Sequence, residues 1–310
     1  AVLNMNISDK IVARKREEIA LSKSKISVSQ LEASEFFTRA CYSLHDFILD
    51  PIRTGIIAEF KRQSPSQGII NNWSGVVEVT TGYANVGASA LSVLTDAHFF
   101  GGTNQDLIEA RQANIIPILR KDFMLDEYQI IEAKAIGADI ILLIASILSP
   151  LEIQKLARLA KSLQLNVLLE VHNQTELERS MCDDLDAIGV NNRNLDDFSV
   201  SVQHSYDLVD QIPDQFLKIS ESGISDVKTI QALKKAGFDG FLMGECFMKT
   251  PNPALGMQDL VGGLWEKLLN ITIPFLLAYP LIPFVQNQKT SSFFFFEWDI
   301  PIALIGYFRR

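Results

Sequence analysis

Eight short apolar runs rich in β-branched residues recur along this 310-residue chain, at 56–60, 90–95, 115–119, 139–144, 166–170, 187–190, 216–220 and 240–243. Between them lie stretches with apolar residues at roughly 3.6 spacing, at 75–86, 105–113, 126–136, 150–163, 174–181 and 226–235. Ser74, Ser149 and Ser225 are placed as N-caps for three of these, and Gly137 and Gly237 stand where helices end. Strand and helix in alternation imply a parallel sheet covered by helices, either open and doubly wound or closed. The count of eight favours an α/β fold of the closed (β/α)8 barrel type. No glycine-rich nucleotide turn follows any of the runs, which weighs against the open sheet.

About fifty residues precede the first strand, with helical character at 7–23 and 28–37. They are expected to form extra helices capping one end of the barrel. The other end of the chain is different in kind. Residues 268–288 hold no charge and three prolines, and 293–296 are four consecutive phenylalanines. Residues 265–310 are therefore read as an atypical apolar tail, foreign to the 1–264 barrel unit and in keeping with a change of reading frame. A membrane anchor is the alternative, weakened by the prolines.

The formal net charge of -9 excludes a general phosphate-tracking surface for nucleic acid, but leaves room for a local cationic pocket. Three widely spaced cysteines, Cys41, Cys182 and Cys246, make neither a disulfide framework nor a metal motif. With a charged amphipathic N-terminal stretch in place of a secretory leader, the expectation is a cytoplasmic protein, monomeric or weakly dimeric. His45, His98, His172 and His204 lack zinc spacing, so each is expected to be structural and no metal is expected.

The runs end in charged or amide residues. These are Glu59 and Lys61, Lys121, Glu170, Asn191 and Arg193, and Glu221 with Ser222. In a parallel barrel the C-terminal strand ends converge on one mouth, so two lysines and three glutamates would meet there. Each alone reads as a solvated surface charge. As a ring they read as an acid–base site, in which crowded lysines lower one another's pKa while carboxylates push the other way. Small turns at Ser64, at Ser222-Gly223 and at Gly244-Glu245 offer backbone N–H groups, and a phosphorylated substrate is the better fit to a cationic mouth.

The segments Glu59-Phe60-Lys61-Arg62-Gln63-Ser64-Pro65-Ser66, Leu119-Arg120-Lys121-Asp122-Phe123, Leu168-Leu169-Glu170-Val171-His172, Val190-Asn191-Asn192-Arg193 and Ser220-Glu221-Ser222-Gly223 resemble indole-3-glycerol-phosphate synthase. So do Gly87 to Thr95 with Phe99-Phe100-Gly101-Gly102, and Leu242-Met243-Gly244-Glu245. The resemblance ends near Leu264. It implies a (β/α)8 barrel of the tryptophan pathway that closes the indole ring of 1-(2-carboxyphenylamino)-1-deoxyribulose 5-phosphate, with loss of CO2 and water and no cofactor.

By resemblance, Lys121 is the general acid of ring closure and Lys61 grips the substrate carboxylate. Glu170 partners the dehydration, and Glu59, Asn191 and Glu221 orient lysines and bind hydroxyls. Phe123, Arg193, Ser222 and Leu242 are implied to contact the substrate. Ser64, Gly223, Gly244 and Glu245 are implied to cradle its phosphate, the last through its backbone N–H. Gln63 and Asn192 depart from the common family residues at their positions. Two competing readings are a phosphoribosylanthranilate isomerase-like barrel and a non-catalytic ligand-binding barrel. The first calls for a Cys base and an Asp acid where this chain carries Lys61 and Glu170.

Overall fold

The computed structural model describes residues 6–195 and 197–276. The first strand, β1 (Ile56–Phe60), is followed by a small antiparallel hairpin, β2 (Gln63–Ser64) and β3 (Gly68–Ile69). The remaining strands are β4 (Ala90–Leu94), β5 (Ile118–Lys121), β6 (Ile140–Ile144) and β7 (Asn166–Val171). After them come β8 (Ala187–Asn191), β9 (Leu217–Glu221) and β10 (Gly240–Met243). All but the hairpin strands pair in parallel and close into an eight-stranded barrel in which β1 meets both β4 and β10. Strands buried on both faces can be apolar at every position. The inaccessible run of β6 is of that kind, while β1 and β4 are equally buried and carry one polar residue each, Glu59 and Ser92.

Helices α1 (Ile7–Lys25), α2 (Val28–Glu32) and α3 (Leu44–Leu49) precede the barrel. The crossover helices are α4 (Val76–Val86), α5 (Asn104–Ala113), α6 (Glu127–Ala135), α7 (Pro150–Ser162) and α8 (Gln174–Ser180). Beyond them lie α9 (Gln203–Leu208) with a turn of 3-10 helix at Val209–Gln211, α10 (Val227–Ala236), α11 (Glu245–Met248) and α12 (Pro253–Leu276). Reciprocal caps start three of the crossovers, among them Ser149 with Glu152 ahead of Pro150. Ser74 and Ser225 are not caps. Gly75 and Asp226 take those positions, and the Asp226 side chain accepts from Thr229 N. Gly237 ends α10 in the left-handed region at φ 119°.

The N-terminal helices do not all cap one end, contrary to expectation. Helix α3 plugs the N-terminal end, where Leu44 and Ile48 join the core built by Ile57, Leu119, Ile140 and Leu168. Asn166 Oδ1, at the start of β7, accepts from Leu44 N at 3.1 Å, which seats the plug. Burying two such side chains is worth about 1.5–3 kcal/mol each. Helix α1 reaches the other end. Its Lys15 ammonium lies 2.7 Å from Asp96 and 2.9 Å from Asp122, just past the C-terminal ends of β4 and β5.

The chain divides after Gly262. Helix α12 runs to Leu276, and the rest of the atypical tail, 277–310, lies outside the described residues. Among the described residues no helix is long and apolar enough to cross a membrane.

Candidate active site

The parallel register brings the polar strand ends to one mouth. Asn191 pairs with Glu221 across β8 and β9, and Ile144 with Glu170 across β6 and β7. Lys121 closes β5, and its Nζ lies 3.0 Å from Glu221 Oε2 and 3.6 Å from Glu170 Oε2. Asn191 Nδ2 donates to Glu170 Oε1 at 3.1 Å, which turns the other oxygen of Glu170 toward the lysine. On β1, Glu59 accepts from Ser92 Oγ at 2.8 Å and stands 3.3 Å from Lys61 Nζ. Five charged side chains from four strands and one loop thus form a single cluster, as the charged strand ends imply.

Of the two opposing influences on Lys121, the carboxylates prevail. Burial opposes its charge, but Glu221, Glu170 and Glu59 outweigh burial and hold its pKa above the ordinary lysine value. The two glutamates beside it split. For Glu170, burial raises the pKa, yet Lys121 and His172 more than offset it and the carboxyl stays below its usual range. For Glu221, burial dominates, the charges of Glu170 and Glu59 add to it, and the pKa is pushed up to about 7 despite Lys121. Neighbouring carboxyls driven apart in this way can serve as an ionised base and a proton-holding acid at one pH.

Two glycines make the crowding possible. A Cβ at Gly189 would lie 2.1 Å from Glu221 Oε1, and one at Gly244 would lie 2.6 Å from Glu59 Cβ. Gly189 sits mid-strand in β8, and a glycine inside an apolar strand signals such close approach. Ser92 carried no comparable signal, since its hydroxyl matters only through the neighbouring strand. His172 is likewise not an isolated structural residue: its Nε2 lies 3.5 Å from Glu170 Oε1.

The other predicted contacts fall on the rim and in the wall. Arg193 Nη2 is 3.1 Å from Glu245 Oε2, while Lys249 Nζ is 2.7 Å from Glu245 Oε1. Ser222 and Gly223 follow β9 with φ 69° and 75°, and buried Asn192 donates to Ser222 O at 3.0 Å to hold that turn. Ser64 lies in the β2–β3 hairpin, with its Oγ 3.3 Å from Ser66 Oγ. Leu242 belongs to the barrel core. Phe123 is half-buried against that core, and its ring centroid is 5.9 Å from that of Phe100.

One feature has no counterpart in the sequence reading. Asp122, next to Lys121, accepts from Thr95 Oγ1 at 2.5 Å and pairs with Lys15 of α1, so the strand carrying Lys121 is tied to the N-terminal helix. Burial works against the Asp122 charge, but Lys15 and Arg120 outweigh it and hold its pKa below the ordinary value. A cavity of about 260 Å³ beside this network is lined by Lys15, Ser22, Tyr128 and Gln129, apart from the Lys61–Lys121 cluster. Among the described residues no group of His, Cys, Asp and Glu is placed to hold a metal.

A closed parallel barrel whose mouth gathers ammonium and carboxylate groups around a common space defines an acid–base enzyme of the (β/α)8 class. Known proteins make the assignment narrower. The profile of the indole-3-glycerol phosphate synthase family matches residues 8–260. The indole-3-glycerol phosphate synthase of Bacteroides thetaiotaomicron is 45% identical over 256 residues, covering 83% of this chain and 98% of the relative. That of Acidithiobacillus ferrooxidans is 40% identical over 258 residues, covering 82% and 98%.

Among solved structures, a putative lactate oxidase of Pediococcus acidilactici superposes with a TM-score of 0.56 at 16% identity, over 71% of each chain. A tryptophan synthase alpha-subunit of Pyrococcus furiosus does so with 0.53 at 14% identity, over 69% of this chain and 99% of its own. These two show the shared fold. The chain belongs to the indole-3-glycerol phosphate synthase family. It is accordingly a carboxy-lyase of tryptophan biosynthesis acting on a phosphorylated small molecule, and the isomerase-like reading is not favoured.

Proposed function

We propose that ring closure is driven by Lys121, and the observation that carries this is its ammonium held between Glu221 and Glu170 at 3.0 and 3.6 Å. The substrate is 1-(2-carboxyphenylamino)-1-deoxyribulose 5-phosphate. As the arene carbon attacks the ribulose ketone, a carbon–carbon bond forms and the carbonyl π electrons move onto oxygen. Lys121 meets that charge with a proton. Its raised pKa keeps the proton in place before reaction, and the growing alkoxide is basic enough to take it. Glu221, itself holding a proton near neutrality, sits where it can return one to Lys121.

Loss of CO2 then leaves its bonding electrons to the ring. In the final step the former ketone hydroxyl departs as water and a proton leaves the ring carbon skeleton, with Glu170 as the acid–base partner. Lys61 grips the substrate carboxylate, with Glu59 orienting it at 3.3 Å. Asn191 fixes Glu170 and binds a hydroxyl with Glu221, and Arg193 binds substrate from the rim. Phe123 packs the anthranilate ring, with Leu242 and Ser222 completing the wall. Ser64, Gly223, Gly244 and the Glu245 backbone N–H cradle the phosphate, an arrangement favoured by the small turns at these positions.

The catalytic unit is 1–264 in this reading, supported by the family match that ends at residue 260. A cytoplasmic setting is supported by three cysteines that are all free. The direct test mixes purified protein with the carboxyphenylamino ribulose phosphate and follows indole fluorescence. Product formation without added metal is the expected result; a stable substrate signal would refute the assignment of these residues.

A further inference from the structure

His172 is half-buried between two carboxylates, and the acid–base steps leave it without a task. It follows β7 immediately, two residues after Glu170. Its Nδ1 lies 3.1 Å from Glu176 Oε2, and the same oxygen accepts the His172 backbone N–H at 2.8 Å. Glu176 is itself fixed in the first turn of α8, where Asn173 Oδ1 accepts from its backbone N–H at 2.9 Å. One edge of the imidazole is therefore clamped. The other edge faces the site: Nε2 is buried without a hydrogen-bond partner, 3.5 Å from Glu170 Oε1.

The chemistry of that edge is restrictive. A neutral ring that gives its Nδ1 proton to Glu176 would turn a lone pair toward an ionised Glu170, and the two would repel. A ring protonated on both nitrogens turns a donor toward Glu170 instead. The charged groups around the ring favour this second state. Glu170 at the end of β7 and Glu176 on α8 lie 3.5 and 3.1 Å from the ring, and the charge of Glu221 on β9 acts on it in the same sense, while Lys121 acts on Glu170 and Arg179 on Glu176. Burial opposes the ring's charge, but the carboxylates outweigh burial and its pKa is raised.

We infer that His172, clamped by Glu176, is a positioning residue that carries a proton beside Glu170 and holds that carboxylate ionised and aimed at Lys121. The inference rests on the reading of Glu170 as the acid–base partner of the dehydration. Its signature is a pH profile. Without the imidazolium, Glu170 loses one of the charges that keep its pKa low, so the acid limb of kcat moves to higher pH. His172→Gln is expected to move it by about half a unit or more, a roughly threefold larger loss of rate at the acid end than at the alkaline end. Glu176→Gln is expected to move it in the same direction, and the double variant no further than the larger single one, because the pair acts as a unit.

The experiment that isolates the contact needs no turnover. The full chain, labelled with 15N-histidine and assigned with His172→Gln, is titrated by NMR as wild type and as Glu170→Gln. The His172 ring is expected to titrate above about 6.5 in the wild type and to fall toward or below that value in Glu170→Gln. A wild-type ring titrating at or below about 6.5, or one that ignores Glu170→Gln, overturns the inference while leaving Glu170's catalytic role untouched. A uniform fall in kcat with an unmoved acid limb in His172→Gln overturns it as well. Full turnover by Glu170→Gln counts against the dehydration reading itself and is read independently of the NMR shift.

Discussion

Gly189→Ala puts one methyl group where the barrel has no room for it. The new carbon would lie 2.1 Å from Glu221 Oε1, 3.1 Å from its Cδ and 3.3 Å from Leu168 Cδ1. Comfortable contacts begin near 3.5 Å, so the carboxylate must retreat by more than about 1 Å. Glu221 is only 1% exposed and its Oε2 is 3.0 Å from Lys121, so any retreat is taken from that contact. A hydrogen bond to a charged group is worth about 1.5–3 kcal/mol. At 1.36 kcal/mol per tenfold in rate, its loss lowers kcat roughly 10- to 150-fold.

Overpacking adds about 1–3 kcal/mol of lost stability, seen as a lower midpoint in denaturant. KM should change far less than kcat, because Glu221 acts through the lysine more than on the bound ground state. The assay is steady-state indole fluorescence with a parallel urea titration. A Gly189→Ala variant with wild-type kcat would refute the claim that the Glu221–Lys121 contact matters to the chemistry.

Two further outcomes follow from other parts of the fold. Lys15→Met leaves Asp96 and Asp122 buried beside Arg120 without their ammonium and is expected to cost about 3–5 kcal/mol at pH 7, measured by denaturant unfolding. The sign with pH is fixed by Asp122: its folded pKa is lowered, so wild-type stability from this pair is present above the ordinary value of 3.8 and is lost as pH falls through the folded one. The variant's deficit should therefore shrink toward acid pH, and a deficit that is constant would mean that the pairing is not its source. Ending the chain after Leu264 is expected to preserve or improve soluble activity; loss of folding would assign the residues beyond 264 to the catalytic unit.

Most of the barrel was legible because a strand buried on both faces leaves a plain apolar run. The exception is β5. The run at 115–119 has the right composition, but Pro117 lacks the N–H that a ladder uses, Ile115 is exposed, and the strand begins at Ile118. That offset makes Lys121 the last strand residue and places it inside the mouth. Helix α9 went unread because six residues are too few for a periodic signal. At Ser74 and Ser225 the true caps stand one residue later, a displacement that composition cannot resolve.

Charged strand ends were readable one by one, and their convergence followed from barrel topology. What was not readable is pairing across the chain. Lys15 looked like any charge on an amphipathic helix, yet it is buried against two aspartates more than eighty residues on. His172 looked structural because nothing local distinguishes a ring facing solvent from one facing Glu170. The pKa of Lys121 was open for the same reason: its direction depends on three carboxylates from three other strands, and only their positions decide it.

The central claim is that the Lys121 ammonium is the acid of ring closure, and single-turnover kinetics of Lys121→Ala test it most directly. Excess protein is mixed with the carboxyphenylamino ribulose phosphate while substrate binding and indole formation are followed separately. The account predicts that binding persists and ring closure is abolished. Indole formation by Lys121→Ala at the wild-type rate would contradict it.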